Sequence, residues 1–159
     1  MLSGMIEIRP EPFDGPDAQA LVQALDAELV VRYGPGGGAS TPPPEAAAFL
    51  DTDGVFLVAY YRDAAVGCGG LRIVAAADLA ELNRMYVAPA MRGRGVGRAI
   101  VAALEAEALA RRCVRIRLET GTSNPEAIRL YRACGYRPIR RYGPFRETAH
   151  SRCFSRRLA

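Results

Sequence analysis

The chain has 159 residues, half of them apolar, and carries a formal net charge of +4 at pH 7. This length suits one domain of about 100–200 residues, and the apolar fraction excludes an intrinsically disordered chain. Because no apolar run approaches the roughly 20 residues of a membrane span and the N-terminus does not read as a secretion signal, we expect one cytoplasmic domain over residues 1–159.

Hydrophobic periodicity and turn residues predict the elements of the first half of the chain. Alternation indicates strands, whereas leucines four residues apart at Leu21, Leu25 and Leu29 indicate an amphipathic helix. In chain order we expect a strand over residues 5–9, a helix over 17–33, a Gly/Pro-rich loop over 34–44, a short helix over 44–50, and strands over 55–61 and 65–74 around a tight Arg62–Asp63 turn.

The second half alternates strands with longer helical patterns. We expect a strand over residues 79–87, a helix over 95–111, a strand over 114–118, a helix over 124–133, and strands over 136–139 and 153–158. The order β-α-α-β-β-β-α-β-α-β-β predicts an α/β fold in which helices cover the faces of a mixed sheet.

Charge is distributed unevenly along these elements. Residues 1–60 hold nine acidic residues and two arginines, whereas residues 111–159 hold thirteen arginines and three glutamates. A basic C-terminal third predicts either an anionic partner or internal pairing with the acidic first third. No interleaving of aromatic and basic residues typical of RNA-binding motifs accompanies it, so we do not expect nucleic acid to be the partner.

The most specific feature is the segment Arg92-Gly93-Arg94-Gly95-Val96-Gly97, which joins a strand to a helix. The first turn of a helix has unpaired N–H groups and a partial positive charge, and glycine lets a phosphate approach them. Arg92, Arg94 and Arg98 add positive charge, so the segment predicts a pyrophosphate site. Its spacing fits neither a dinucleotide-binding GxGxxG nor a lysine-containing triphosphate loop, and a ligand-free turn is the remaining alternative.

Two segments together resemble the GNAT superfamily of N-acetyltransferases. Residues 92–97 fit its [RQ]-x-x-G-x-[GA] signature, and residues 124–136 fit its second block, N-x-x-A-x-x-hydrophobic-Tyr-x-x-x-Gly-aromatic. The resemblance covers about residues 79–140. It implies a GNAT-like acyl-CoA N-acyltransferase fold, acetyl-CoA as the co-substrate and an amine as the acceptor.

The resemblance also implies a coenzyme site. Residues 92–97 would wrap the pyrophosphate, and the pantetheine arm would lie between splayed fourth and fifth strands. The backbone of Met85 and Val87 would bond the arm, with the Met85 N–H stabilising the oxyanion. Asn124 would contact the arm, cap its helix, or do both. The expected coenzyme-binding residues are Met85, Tyr86, Val87, Arg92, Gly93, Arg94, Gly95, Val96, Gly97, Arg98 and Asn124.

An amine must lose a proton before it attacks, so a base is needed. Glu81 matches the position of the carboxylate base in several members of the family, and a period of two would put Glu81, Asn83 and Met85 on one face of the strand. The alternative for Glu81 is a charge at the sheet rim paired with an arginine. Glu119 is the second candidate base, and His150, the one histidine, is the third.

Tyr131 resembles the family's general acid, which protonates the leaving thiolate, although a core aromatic is the alternative. The implied mechanism is direct transfer in a ternary complex. A cysteine acyl-enzyme would need Cys134 or Cys153, and neither has a histidine nearby in sequence. The four cysteines are widely spaced, which is typical of reduced thiols and predicts neither a metal site nor disulfides.

The acceptor pocket of this fold would be lined by residues 31–44 and 142–151. Arg32, Tyr33, Phe145 and Arg146 lie there, and an arginine would suit a carboxylate or phosphate. We therefore expect a small acidic amine such as an amino acid. A protein N-terminal or lysine acetyltransferase and a non-catalytic acyl-CoA sensor are the alternatives, and a homodimer is left open.

Overall fold

The computed structural model describes residues 5–35, 54–74 and 78–159. Within these residues, seven strands form one mixed sheet in the order β1-β2-β3-β4-β5-β7-β6, which confirms the predicted α/β fold. The strands are β1 (Ile6–Pro10), β2 (Gly54–Tyr61), β3 (Ala64–Val74), β4 (Leu79–Val87), β5 (Arg115–Gly121), β6 (Arg137–Ile139) and β7 (Ser151–Arg157), and the helices are α1 (Pro16–Tyr33), α2 (Val96–Ala110) and α3 (Pro125–Ala133).

The predicted order of elements agrees with the structure wherever the chain is described. The helix expected over residues 44–50 and most of the Gly/Pro-rich loop lie outside the described residues. Strand β5 runs three residues beyond the predicted end at Leu118, because Glu119–Gly121 pairs with the start of β7. Strand β7 accordingly begins at Ser151, two residues before its predicted start.

Helices pack on both faces of the sheet. The predicted inner face of α2, which is Ile100, Val101, Leu104 and Ala108, is buried against one face. Helix α1 buries residues including Leu21 and Leu25 on the opposite face; Leu21 packs in a cluster with Phe56 and Val58 of β2. No helix within residues 5–35, 54–74 and 78–159 is long and apolar enough to cross a membrane.

Strands β4 and β5 are the parallel pair of this sheet, and their pairing stops halfway. Leu79–Leu82 pairs with Arg115–Leu118, and beyond that point β4 stays paired with β3 while β5 stays paired with β7. The two strands therefore splay and expose two backbone edges to each other, as expected. Each edge offers N–H and C=O groups to a ligand.

A β-bulge at Arg84 contradicts the expectation that Glu81, Asn83 and Met85 share one face. The β3–β4 register shifts so that Cys68 opposes Tyr86 while Gly70 opposes Asn83, and Arg84 has a positive φ of 56°. The extra residue in β4 reverses the alternation of side chains.

The bulge places Met85 and Glu81 on opposite faces of β4. Met85 packs with the α2 core cluster, whereas Glu81 follows Ala80 and precedes Leu82, which both belong to that cluster. The side chain of Glu81 therefore points to the α1 side of the sheet. Two contacts hold the bulge: the Cys68 thiol donates to the Arg84 carbonyl (3.3 Å), and Arg84 pairs with Asp26 of α1 (3.2 Å).

Candidate active site

The splay between β4 and β5 opens into a cavity of about 1090 Å³. It extends from the start of α2, past the facing strand edges, to the C-terminal end of α1 and the segment before β7. All but one of the expected coenzyme and catalytic residues line it, the exception being the exposed Arg94. The structure therefore brings the two sequence blocks, residues 92–97 and 124–136, to one cleft.

The start of α2 has the form of an anion site. The first helical hydrogen bond runs from the Ala99 N–H to the Gly95 carbonyl (3.1 Å), so the amides of Val96, Gly97 and Arg98 have no helical acceptor. Gly95 has a left-handed φ of 88°, a conformation that glycine adopts without the steric cost of a side chain. The helix dipole adds partial positive charge to these amides.

Gly97 is required by close packing rather than by its backbone angles. A Cβ built at this position would lie 3.1 Å from Cδ2 of Leu130 on α3 and 3.8 Å from Cγ2 of Val87 on β4. The absence of a side chain lets α2 begin directly beside α3 and the end of β4. The cleft wall therefore consists of backbone at this point.

The arginines of the loop differ in their contacts. Arg92 donates from Nε to the Val87 carbonyl (2.8 Å) and pairs with Glu28 of α1 (2.7 Å), so it fastens the loop to β4 and α1. Arg94 and Arg98 are exposed, and neither forms an ion pair within the described part of the chain. The charge that remains open to an incoming phosphate therefore belongs to Arg98 at the cleft and Arg94 beside it.

Asn124 caps α3, as one of its two expected roles requires: its Oδ1 accepts from the Ala127 N–H at 3.3 Å. We expect Asn124→Ala to lower the free energy of unfolding by about 1 kcal/mol, measured by urea denaturation. Asn124→Asp, which keeps the acceptor, is the matched control. Equal stability of Asn124→Ala and the wild type would contradict the cap.

Tyr131 lies at the inner wall of the cleft with 4% of its surface exposed, and its ring packs edge-on to Tyr136 with centroids 6.0 Å apart. Burial raises the pKa of its phenol well above the ordinary value. The hydroxyl therefore keeps its proton at neutral pH and is able to donate it. The two readings of Tyr131 from the sequence, core aromatic and proton donor, are compatible in this position.

Glu81 is held by two arginines. Its carboxylate pairs with Arg72 of β3 through one oxygen and accepts from Nε and Nη2 of Arg117 on β5 through the other, both at 2.9 Å. Its side chain is 12% exposed. Because guanidinium groups engage both oxygens, they compete with an ammonium for Glu81. These contacts agree with the paired-charge alternative from the sequence.

Glu119 is the carboxylate of the cleft with fewer competing contacts. It accepts one hydrogen bond, from the Ser151 hydroxyl to its Oε2 at 2.6 Å, and forms no ion pair with any described arginine. Burial raises the pKa of Glu119, and the hydrogen bond from Ser151 opposes that shift. A carboxylate with a raised pKa is a better proton acceptor near neutral pH.

Aromatic rings form the wall around these carboxylates. Tyr142 lies under the guanidinium of Arg117, 3.9 Å from ring centroid to Cζ, and Tyr33 packs against His150 with centroids 5.4 Å apart. Tyr33, Tyr142 and His150 all line the cavity. His150 therefore lies at the site, where it stacks on Tyr33 and also interacts electrostatically with Glu119.

Sequence reasoning missed Arg72 and Arg117, and it placed Tyr142 and Ser151 only within a segment of the acceptor pocket, without roles of their own. Ser151 is fully buried, and its importance follows from the pairing of β7 with β5, which no local pattern announces. Arg72 and Arg117 reach Glu81 from the two strands that flank β4. The sequence does carry one signal for Arg117: Arg115, Arg117 and Glu119 alternate along β5, so their side chains lie on one face of the strand.

Three of the four expected acceptor-pocket residues line the cavity: Arg32, Tyr33 and Phe145 do, whereas Arg146 is exposed outside it. Arg32 is already paired with Glu126 at 3.1 Å. The expectation that Arg146 lines the pocket is therefore wrong: Pro144 and Phe145 face the cavity, whereas the next residue, Arg146, is exposed to solvent.

None of the four cysteines lines the cavity. All four are free thiols, and the described cavity wall includes neither Cys134 nor Cys153. Burial raises the pKa of both thiols, which disfavours the reactive thiolate. A cysteine acyl-enzyme therefore has no structural support.

Comparison with known proteins places these features in a family. Residues 18–136 match the family model described as the acetyltransferase (GNAT) family. A curated protein of Azospirillum brasilense, described as an IAA acetyltransferase, is 37% identical over 90 residues, which cover 57% of this chain and 59% of that protein. The match thus spans less than two thirds of that relative's length.

Solved structures share the fold over the whole chain. A protein of Klebsiella pneumoniae described as an acyl-CoA N-acyltransferase superimposes with a TM-score of 0.81 at 28% identity, covering 99% of this chain and 100% of that one. The PaiA N-acetyltransferase of Thermoplasma acidophilum, solved in complex with coenzyme A, superimposes with a TM-score of 0.70 at 18% identity, covering 96% and 98% of the two chains.

Proposed function

The chain belongs to the GNAT family of acetyltransferases, and from this premise we propose that residues 1–159 form one domain that transfers the acetyl group of acetyl-CoA directly to an amine. The observation that carries the proposal is the continuous cleft that joins the amides at the start of α2 to a half-buried carboxylate and a buried phenol. Acetyl-CoA is the co-substrate, and it supplies an acetyl group activated as a thioester.

The residues of the cleft fit this co-substrate at each end. The free amides of Val96, Gly97 and Arg98 suit a pyrophosphate, and the side chain of Arg98 adds charge there. The edges of β4 and β5 beyond Leu82 suit an extended amide-containing arm, because they present unpaired backbone groups. Met85 lies on the β4 edge, where its N–H is our candidate for stabilising the oxyanion.

We assign the base to Glu119 and the acid to Tyr131. The carboxylate of Glu119 takes a proton from the acceptor ammonium and passes it to solvent, and the free amine nitrogen then bonds to the acetyl carbon. As the carbon–sulfur bond breaks, the nitrogen gives its second proton to the Glu119 carboxylate, which leaves a neutral amide. Tyr131 gives its proton to the leaving sulfur, and solvent returns both side chains to their starting states. Glu81, the first candidate base from the sequence, is less suited to this step because two guanidinium groups engage its oxygens.

Removing the hydroxyl of Tyr131 is expected to have a moderate effect. A thiol has a pKa near 8.5, so a thiolate leaves without full protonation, and we expect Tyr131→Phe to lower kcat about tenfold. Thiol release under saturating substrates measures the loss. Tyr136→Phe is the control, because this neighbouring phenol bonds to Glu105 (3.0 Å) and does not line the cleft. Equal losses in both variants would contradict the assignment of Tyr131.

The proposed function is tested by two measurements on the same protein. Calorimetric titration should show binding of acetyl-CoA, and a panel of amines should release free thiol above the rate of hydrolysis. Binding without turnover of any amine would instead support the acyl-CoA sensor, and turnover of peptides alone would support a protein acetyltransferase. Absence of binding would contradict the proposal as a whole. The homodimer stays a prediction from the sequence.

A further inference from the structure

The acceptor half of the cleft, which is the part lined by Arg72, Glu119 and Tyr142, contains two charged centres of opposite sign. The first is a cluster of Arg72, Glu81 and Arg117, in which two guanidinium groups share one carboxylate and one positive charge remains. The second is Glu119, which accepts a hydrogen bond from Ser151 and pairs with no described arginine. A cavity of this kind is electrostatically bipolar rather than uniformly basic.

The sheet fixes the distance between the two centres. Arg72, Glu81 and Arg117 are register partners across β3, β4 and β5, and Glu119 lies two residues further along β5 on the same face. Arg72 lies two strand spacings, about 9.6 Å, across the sheet from β5 and two residues, about 6.6 Å, along it from Glu119, so the two Cα atoms are roughly 12 Å apart. The long arginine side chain and the glutamate side chain shorten the gap between the two charged groups. The spacing suits a small molecule that carries both charges.

Arg72 is the accessible member of the cluster. Its side chain is 42% exposed and lines the cavity, whereas Arg117 lies behind Tyr142 and is not part of the wall. Glu81 engages Arg72 through Nη2, so the remaining N–H donors of its guanidinium are available.

Three other arginines that line the cavity are each neutralised by a carboxylate. Arg32 pairs with Glu126, Arg84 with Asp26 and Arg92 with Glu28. Each of these pairs has no net charge and offers little attraction to a further anion. Arg98 and Arg129, which also line the cavity and form no ion pair with a described residue, lie on α2 and α3, so the uncompensated positive charge on the strands of the cavity wall belongs to the cluster around Arg72.

We propose that the acceptor is a small zwitterionic amine whose carboxylate is bound by Arg72 and whose ammonium meets Glu119. The inference depends on the proposed function and deepens it, because it names the class of acceptor and the residue that selects it. Glu81 and Arg117 then act as positioning residues: Glu81 holds the guanidinium of Arg72, and Arg117 holds Glu81. A carboxylate matches the planar fork of an arginine.

The test compares free L-amino acids with their α-carboxamides as acceptors, using thiol release from acetyl-CoA. The wild type should prefer the free acids. We expect Arg72→Gln to raise the acceptor KM at least about tenfold and to abolish the preference, while the KM for acetyl-CoA stays unchanged. Arg72→Lys keeps the positive charge but not the planar fork, and its acceptor KM should lie between those of the wild type and Arg72→Gln. Arg146→Gln, an exposed arginine outside the cavity, is the matched control.

Each outcome separates the inference from the proposed function. The zwitterionic acceptor would be overturned if the wild type used free acids and carboxamides equally well. It would also be overturned if Arg72→Gln raised the KM for both kinds of acceptor by the same factor. In either case acetyl transfer to amines would still stand. A loss in Arg146→Gln equal to that in Arg72→Gln would overturn the role of Arg72. Failure of the wild type to acetylate any amine would overturn the proposed function and this inference with it.

Discussion

Glu119→Gln is expected to lower kcat by about two to four orders of magnitude while the affinity for acetyl-CoA stays within about twofold of the wild type. Glutamine keeps the shape of the side chain and can still accept the hydrogen bond from Ser151, but it cannot take a proton at neutral pH. Steady-state thiol release gives kcat, and calorimetric titration gives the affinity. Loss of acetyl-CoA binding would indicate a damaged cleft rather than a missing base.

Glu81→Gln separates the two candidate bases. If Glu119 is the base, Glu81→Gln should act mainly on the acceptor KM, because it releases the guanidinium of Arg72. If Glu81 is the base, the larger loss of kcat should follow Glu81→Gln instead. A greater fall in kcat for Glu81→Gln than for Glu119→Gln would therefore show that Glu81 is the base, as the sequence predicts.

The raised pKa of Glu119 has two consequences with defined signs. Activity needs the carboxylate, so kcat/KM should fall as the pH falls through a value above the ordinary range of glutamate. A carboxyl whose pKa is higher in the folded state contributes stability below its unfolded pKa and loses it as the pH rises through the folded pKa. Glu119→Gln, which carries no charge, should therefore unfold at a slightly higher temperature than the wild type at pH 7.

Gly97→Val is expected to weaken acetyl-CoA binding about a hundredfold or more. A side chain here would meet Leu130 and take up space in the cavity wall next to the amides of α2, where we expect the phosphate to bind. Hydrogen bonds to charged groups contribute about 1.5–3 kcal/mol each, so the loss of two is consistent with that factor. Calorimetric titration of the folded variant measures it. Affinity within about threefold of the wild type would contradict the phosphate site.

A second substitution distinguishes blocked binding from crowded packing. Overpacking at Gly97 should by itself cost about 1–3 kcal/mol of stability, and Leu130→Ala removes the side chain that lies 3.1 Å from the added Cβ. The double variant should recover stability relative to Gly97→Val but not affinity, with Leu130→Ala alone as the baseline. Recovery of both would show that the glycine serves only helix packing.

Most of the fold could be predicted from local patterns. The leucine spacing of α1, the apolar face of α2 and the two-residue turn at Arg62–Asp63 each depend on residues close in sequence, and each agrees with the structure. The turn has positive φ at both residues, which matches the twist of a tight hairpin. The end of β5 was misplaced because its last residues are strand only through pairing with β7.

The coenzyme end of the site could be predicted for the same reason. A strand, a glycine loop and a helix start are contiguous in sequence, and their amides converge through local geometry alone. The assignment of the base depended on long-range contacts. Whether Glu81 or Glu119 is free to take a proton is decided by Arg72, Arg117 and Ser151, which lie on three different strands.

The sequence by itself determined the order of the described elements, the glycine turn that opens α2 and the membership of a family of acetyltransferases. Only the tertiary structure decided which carboxylate forms no ion pair with a described arginine, because the register of neighbouring strands sets the surroundings of each group. Backbone geometry follows from nearby residues, whereas the charge state of a buried group follows from whatever the fold packs against it.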